Sequence, residues 1–73
     1  MYRYHRLHIP VSHVRVETAT YERVHGTQPG GIALWHFQVG AEVCAWFGVY
    51  AEAEAQAVAR AARCGIDVVA VCA

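Results

Sequence analysis

A predicted β-hairpin at residues 34–47 is the feature that most constrains the fold of this chain, because it contains both tryptophans and both phenylalanines. A two-residue turn at residues 40–41 would set the two strands in a defined register. Side chains alternate between the two faces of a strand, so this register places four residues on one face: Trp35, Phe37, Cys44 and Trp46. The opposite face is also rich in apolar residues. Since one helix covers one face of a sheet, the sequence predicts a second face that a partner covers.

The length of 73 residues corresponds to one small domain, and we expect residues 1–73 to form it. Although 56% of the residues are apolar, many of these are alanines, which bury little area. The core therefore depends on the aromatic residues of the hairpin and on the valines. Because a chain of this size buries a low fraction of its surface, a homodimer is one predicted way to cover the spare face.

The formal net charge of zero argues against a protein that wraps a nucleic-acid backbone, because neutralising phosphates requires an excess of Lys and Arg. No apolar stretch follows Arg3 and Arg6, and no window has the length of a membrane span. We therefore expect neither a signal peptide nor membrane association. The three cysteines lack Cys-x-x-Cys spacing, which predicts a reduced, cytoplasmic protein.

The first half of the chain is predicted to be largely extended. Residues 1–13 contain Pro10 and are expected to form an irregular N-terminal arm or a short edge strand. Residues 14–24 alternate β-branched residues with charged or aromatic ones, which predicts a strand. Residues 25–31 hold three glycines and a proline and predict a loop. The two hairpin strands follow, so we expect a three-stranded antiparallel meander.

The second half is predicted to be a helix and a final strand. Residues 51–64 carry an apolar stripe at helical spacing, formed by Ala51, Ala55, Val58, Ala59 and Ala62. Gly65 is placed to end this helix in the left-handed conformation. Residues 66–72 form a strand with valines on both faces, which predicts a position inside the sheet. The sequence thus predicts an α+β fold, β-β-β-α-β, with the helix packed on one face of the sheet.

No motif for catalysis, metal binding or cofactor binding is predicted. Ser12 and Asp67 are the single serine and the single aspartate, so a Ser-His-Asp triad is implausible. The glycines of residues 25–31 precede a strand rather than a helix, which argues against a phosphate-binding loop. His36 and Cys44 are possible zinc ligands by type, but the hairpin register puts them on opposite faces. We therefore expect a non-enzymatic protein without metal or cofactor.

The predicted partner-binding surface combines the aromatic row of the hairpin with the first strand. Its residues are Trp35, Phe37, Trp46, Arg15, Tyr21 and Arg23. Aromatic residues and arginine anchor protein interfaces, and aromatic residues also stack on the bases of single-stranded nucleic acid. The neutral charge favours a protein partner. One alternative is a single-stranded nucleic-acid-binding module that uses the same aromatics and the N-terminal arginines, and another is a structural homodimer with the sheet face as its seam.

Three segments of the second half form a further pattern: Gly48-Val49-Tyr50 at a strand end, Glu52-Ala53-Glu54-Ala55 at a helix start, and Gly65-Ile66-Asp67 before a valine strand. In these segments the chain resembles the second half of a SPOR peptidoglycan-binding domain. The first half departs from that family, because no helix is predicted between Val14 and Val39. The resemblance implies a SPOR-like domain as a variant of the structural alternative.

Another set of residues precedes the alanine-rich helix: Tyr21-Glu22, His25-Gly26, Pro29, Gly31, Trp35 and Phe37. With these residues, its size and its single-domain build, the chain resembles small phage and plasmid proteins of the anti-CRISPR and anti-defence type. Inhibitors of this class occupy a surface of a nucleic-acid-handling complex and perform no chemistry of their own. The resemblance implies an inhibitor from a mobile element that binds a host defence complex such as CRISPR-Cas.

Overall fold

The computed structural model describes residues 8–73, which form a mixed four-stranded sheet and two α-helices. In chain order these are β1 (Arg15–Glu17), α1 (Ala19–His25), β2 (Ile32–Val39), β3 (Glu42–Val49), α2 (Tyr50–Arg63) and β4 (Val68–Val71). A short 3-10 helix, Val11–His13, precedes β1. The order across the sheet is β1-β4-β2-β3. The predicted α+β class is confirmed, whereas the strand order differs from the prediction.

β2 and β3 form the predicted hairpin in the predicted register, with Trp35 opposite Trp46. In the turn, Gly40 has a φ angle of 61°, a left-handed conformation that glycine adopts without steric cost. A side chain at this position would also collide with Ile66, because its Cβ would lie 2.8 Å from Cδ1 of Ile66. The turn fixes the register, and the register decides which residues share each face of the hairpin.

One face of the sheet forms the core beneath α2. The buried cluster contains Trp35, Phe37, Val39, Val69, Val71, Ala53, Ala57 and Ala61. The Trp35 indole N–H donates to the carbonyls of Gly31 and Gly48, at 3.3 Å and 3.1 Å, so this large side chain is buried with its polar atom paired. The alanines of α2 let the helix approach the aromatic rings closely, which fills the space between helix and sheet.

The ends of α2 agree with the sequence. Glu52 lies in its first turn, and Arg60 and Arg63 lie in its last turn, where they complement the helix dipole. Gly65 has a φ angle of 71°, as predicted. The Ile66 N–H then donates back to the Ala61 carbonyl at 2.8 Å, which completes a common helix-ending motif.

The predicted apolar stripe of α2 is wrong in its rotation about the helix axis. Ala51 and Ala55 are exposed, although Ala62 is buried as expected. The residues that pack on the sheet are instead Ala53, Ala57 and Ala61. Alanine occupies nearly every second position of this helix, so several stripes at helical spacing are equally apolar. Packing against the aromatic rings of the hairpin selects among them.

Residues 14–24 do not form the single strand that was predicted, because β1 is short and α1 follows it. Thr18 begins α1: its carbonyl accepts the Glu22 N–H at 2.9 Å, and its hydroxyl donates to the Glu22 carboxylate at 2.5 Å. Gly26 ends the helix in the left-handed conformation, with φ of 73°. These local start and stop interactions outweigh the strand preference of the β-branched residues.

The predicted antiparallel meander is also wrong, because β1 does not neighbour β2. β4 lies between them, and it pairs in parallel with β1 and antiparallel with β2. The valines on both faces of β4 suit a strand with a neighbour on each side, so its predicted interior position is confirmed.

The predicted N-terminal arm falls partly outside the described residues, which begin at residue 8. Within residues 8–13 the backbone forms the 3-10 helix and no strand. The Ile9 N–H donates to the Ala62 carbonyl at 2.9 Å. This part of the arm therefore lies against the C-terminal end of α2.

Substituting leucine for a buried or an exposed alanine of α2 tests the rotation of the helix. We expect Ala57→Leu to lower the free energy of unfolding by about 1–3 kcal/mol, because Ala57 is fully buried and the extra methylenes have no space. The matched control, Ala55→Leu, adds the same atoms at an exposed position and should change it by less than about 0.5 kcal/mol. Urea denaturation measures both values, and equal costs would show that the rotation is incorrect.

Tyr50, at the start of α2, is expected to make the free energy of unfolding depend on pH in alkaline solution. The Tyr50 hydroxyl is partly buried and donates to the Glu54 carboxylate at 2.8 Å, and burial and this neighbour raise the pKa of Tyr50. In the unfolded chain a tyrosine ionises near pH 10, so the unfolded state releases its proton first and stability falls as the pH rises above about 10. Tyr50→Phe should flatten this decline in urea denaturation between about pH 9.5 and 11. An unchanged slope would contradict the assignment.

Candidate protein-binding surface

The face of the β2–β3 hairpin opposite α2 is exposed and largely apolar. We call it the open face, and its residues are Ile32, Leu34, His36, Gln38, Val43, Ala45, Phe47 and Val49. Phe47 is 78% exposed, and its cross-strand partner Leu34 is 55% exposed. Ile32, which is 71% exposed, pairs with Val49 in the same way. Large apolar side chains therefore lie next to one another in water along both strands.

The area of this apolar patch is large for so small a chain. Five side chains contribute most of it: Ile32, Leu34, Val43, Phe47 and Val49. A fully exposed side chain of this kind has an accessible surface on the order of 100–200 Å². Multiplied by their exposed fractions, the five side chains together expose roughly 500 Å². This matches the largest apolar patch on a typical soluble monomer, about 300–600 Å², which is often an interaction site.

The open face carries no Asp, Glu, Lys or Arg on β2 or β3. Glu42, the one charged residue of β3, points to the helix side instead, where its carboxylate accepts a 2.8 Å hydrogen bond from the Arg60 guanidinium of α2. The charged side chains lie on β1, on the far side of β4, where Arg15 and Glu17 form an ion pair. The sheet face is thus apolar on β2 and β3 and becomes charged only at β1, beyond β4, which agrees with the apolar core and polar rim of protein interfaces.

The structure places the predicted aromatic residues on the covered side of the hairpin. Trp35 is 5% exposed, and Phe37 is fully buried. Trp46 is half-buried, with its ring centroid 5.9 Å from that of Phe37. A partner therefore cannot reach Trp35 or Phe37 in this structure, because α2, including its first residue Tyr50, lies over them.

The other predicted binding residues do not join these aromatics in one surface. Tyr21 is half-buried, and its ring packs against Trp35 at 5.7 Å and stacks on His25 at 4.2 Å, so α1 also lies on the covered side. Arg23 is exposed on α1. Arg15 lies on β1, at the opposite edge of the sheet from β3. The six predicted residues are thus divided among the core, α1 and the β1 edge.

The sequence contained a signal for the exposed face of the hairpin. The two rows of the hairpin differ in their polar residues, because His36 and Gln38 fall in the row with Leu34 and Phe47. A row that mixes polar and apolar side chains is better suited to a solvent-exposed face than the row containing both tryptophans.

Metal-ligating residue types are dispersed in the part of the chain that the structure describes. No group of three or more His, Cys, Asp or Glu side chains in residues 8–73 is arranged to hold a metal ion. The free thiols of Cys44, Cys64 and Cys72 belong to β3, the end of α2 and the end of β4. The feature of the described residues that best suits a function is therefore the open face.

The chain matches no protein-family model, no curated protein and no solved structure. Among residues 8–73, the helices are too short and too polar for any of them to cross a membrane. Its function must therefore be inferred from the geometry of the open face.

A matched pair of phenylalanine substitutions tests which face is covered. We expect Phe37→Ala to lower the free energy of unfolding by about 3–5 kcal/mol, because it leaves a cavity under α2. Phe47→Ala should cost less than about 1 kcal/mol, since it removes one cross-strand contact from an exposed ring. Urea denaturation of both variants provides the comparison. A larger loss for Phe47→Ala would show that the open face is part of the core.

Proposed function

We propose that this protein is a non-enzymatic protein-binding domain that acts through its open face. The observation that carries the proposal is the exposure of Phe47 and Leu34 side by side, on a face without charged residues. Burying roughly 500 Å² of apolar surface is worth on the order of 10 kcal/mol, before the entropic costs of association are subtracted. Covering this face by a partner therefore supplies a favourable contribution to binding, against which the costs of association are set.

A protein partner fits the open face better than a nucleic acid does. Binding of single strands combines aromatic stacking with cations that neutralise phosphates. On the open face the aromatic rings are those of Phe47 and His36, and β2 and β3 present no Lys or Arg beside them. The nucleic-acid alternative also relied on Trp35 and Phe37, which are buried.

The class of partner that we propose is a protein of a host nucleic-acid-handling defence complex such as CRISPR-Cas. The support for this class is the resemblance to small phage inhibitors, together with the size of the chain and its uncharged binding face. An inhibitor of this kind acts by occupying a protein surface, so it requires an exposed patch and no catalytic group. The open face meets that requirement.

Affinity capture with three serine variants tests the binding face. The immobilised protein is incubated with extract from a CRISPR-bearing host, in parallel with Leu34→Ser, Phe47→Ser and Val24→Ser. Val24 is the matched control, because it is an apolar residue that is 63% exposed on α1, away from the open face. We expect the wild-type protein and Val24→Ser to capture the same host protein in similar amounts. Leu34→Ser and Phe47→Ser should capture at least tenfold less of it.

Two outcomes would contradict this assignment. If all three variants retain the same proteins, the open face is not the binding surface. If the purified protein shifts a labelled single-stranded oligonucleotide at low salt, with affinity that falls steeply as salt rises, the nucleic-acid alternative replaces it.

The proposed partner class has its own test in cells. Expression of the protein in a strain with active CRISPR-Cas should raise the transformation efficiency of a targeted plasmid at least tenfold. Leu34→Ser should abolish this increase, and Val24→Ser should preserve it. If the wild-type protein leaves the efficiency unchanged in strains carrying each major CRISPR type, the proposed partner class is wrong.

A further inference from the structure

The two edges of the sheet differ in a way that points to a second use of β3. At one edge, β1 has three residues, and two of them are the charged Arg15 and Glu17. At the other edge, β3 has eight residues, no proline and one charged residue, Glu42, at its start. Short, charged strands prevent pairing with another chain, whereas long, uncharged edges favour it. β1 is thus a protected edge, and β3 is an open one.

The backbone of β3 offers hydrogen-bonding groups on its outer side. In a hairpin with a two-residue turn, the residues that flank the turn, Val39 and Glu42, bond to each other, and every second pair after them does the same. The Tyr50 N–H donates to the Gly31 carbonyl at 2.9 Å, in phase with this pattern. The alternate residues of β3 therefore direct their N–H and C=O groups away from β2: Val43, Ala45, Phe47 and Val49. No other described strand pairs with β3 on that side.

We propose that β3 pairs antiparallel with β3 of a second copy of this chain, about a two-fold axis at Ala45. In this register Ala45 faces Ala45 of the second copy, and Val43 faces Phe47 of the second copy. A two-fold axis perpendicular to the sheet keeps each side chain on its own face, so the eight strands form one continuous sheet. The outward N–H and C=O groups of the paired segment then bond to one another.

The side chains of β3 are complementary to themselves in this register. On the open face, the smallest of them, Ala45, lies on the axis as a hydrogen-bonded pair, in which the two Cα atoms are about 5.5 Å apart. The flanking pairs of Val43 with Phe47 combine an aromatic and a β-branched residue, a favourable cross-strand contact. On the covered face, Cys44 lies opposite Trp46 of the second copy, and both residues are half-buried in the single chain. Pairing would cover their remaining exposed surface.

Charge and helix placement are also compatible with this dimer. The net charge is zero, so two copies do not repel each other. Glu42 lies opposite Gly48 of the second copy, which places the two Glu42 residues roughly 20 Å apart at 3.3 Å per residue, beyond the range of strong repulsion. α2 packs on both β2 and β3, so the two α2 helices would lie side by side about 10 Å apart, a usual separation for packed helices.

This inference rests on the proposed function in one respect, namely that the open faces of the two copies together bind the partner. The open face of one copy offers roughly 500 Å², less than the ~800 Å² that each partner contributes to a standard protein interface. Joining two copies through β3 gives a continuous apolar face of about 1,000 Å², which reaches that size. The dimer would thus turn a weak binding patch into a surface large enough for a stable complex.

Sedimentation equilibrium with Ala45→Pro tests the dimer. The Ala45 N–H points outward, so proline removes a hydrogen bond of the dimer and none between β2 and β3. We expect the wild-type protein and the matched control Ala45→Ser to have twice the mass of one chain at 100 µM, and Ala45→Pro to have the mass of one. A wild-type monomer at this concentration would overturn the proposal.

Amide hydrogen exchange of the wild-type protein gives a second measurement, which does not depend on whether Ala45→Pro folds. The amides of Val43, Ala45 and Phe47 should exchange at least tenfold more slowly at 100 µM than at 1 µM, because dimerisation buries them. The amides of Cys44 and Trp46, which bond to β2, should be protected at both concentrations. Fast exchange of all three outward amides at 100 µM would also overturn the proposal.

Leu34→Ser separates this inference from the proposed function, because Leu34 lies on β2 and outside the paired edge. It should remain a dimer while losing the captured partner. If Leu34→Ser dissociates the dimer and Ala45→Pro leaves it intact, the two copies pack through their open faces. That result would overturn the β3 pairing. A monomer whose capture still depends on Leu34 would leave the proposed function in place and remove the dimer.

Discussion

The contact between the alanine stripe of α2 and the aromatic row of the hairpin is the interaction on which the rest of the structure depends. Ala53, Ala57 and Ala61 leave enough space for Trp35 and Phe37 to be buried beneath the helix. The indole N–H of Trp35 donates to two backbone carbonyls near the ends of the hairpin strands. The ring is therefore held by polar contacts as well as by packing. This contact decides which face of the hairpin is covered. The identity of the open face follows from it.

The composition of the chain explains why one face remains open. A sheet has two faces, and the described residues supply helices for one of them, since both α1 and α2 lie on the side of Trp35. Small domains bury a low fraction of their surface, and a core built partly of alanine adds little apolar area. The exposed side chains of Leu34 and Phe47 therefore add little to the core of the single chain, and covering them by another molecule would be favourable.

The hairpin register and the ends of α2 were predictable because local chemistry determines them. A two-residue turn with a glycine sets the register, and the acidic first turn, basic last turn and Gly65 define the helix. The rotation of α2 was not predictable, since its alanines form several equivalent stripes. Residues 18–24 were mistaken for strand because Thr18 and Val24 suit either structure. The backbone hydrogen bonds from the Glu22 N–H to the Thr18 carbonyl and from the Gly26 N–H to the Glu22 carbonyl decide between them.

An exposed apolar face was predictable from the sequence, whereas the row of the hairpin that forms it was not. Apolar side chains on both rows of the hairpin indicated a face for a partner, yet the choice of row depends on the position of α2, a tertiary contact between distant segments. The larger aromatics drew the prediction to Trp35 and Phe37, whereas burial of the most apolar area is what places them in the core. The row with His36 and Gln38 remained for the surface.

The central position of β4 has a consequence for how the chain folds. β4 follows every other described element in the sequence, yet it separates β1 from β2 in the sheet. The hairpin and α2 are made of contacts between near neighbours and can form early, whereas β1 has no described strand to pair with until residues 68–71 are in place. Pairings between distant segments form slowly because the intervening chain must be ordered first. We therefore expect β1 to be among the last of the described strands to gain its sheet contacts, although it precedes the others in the sequence.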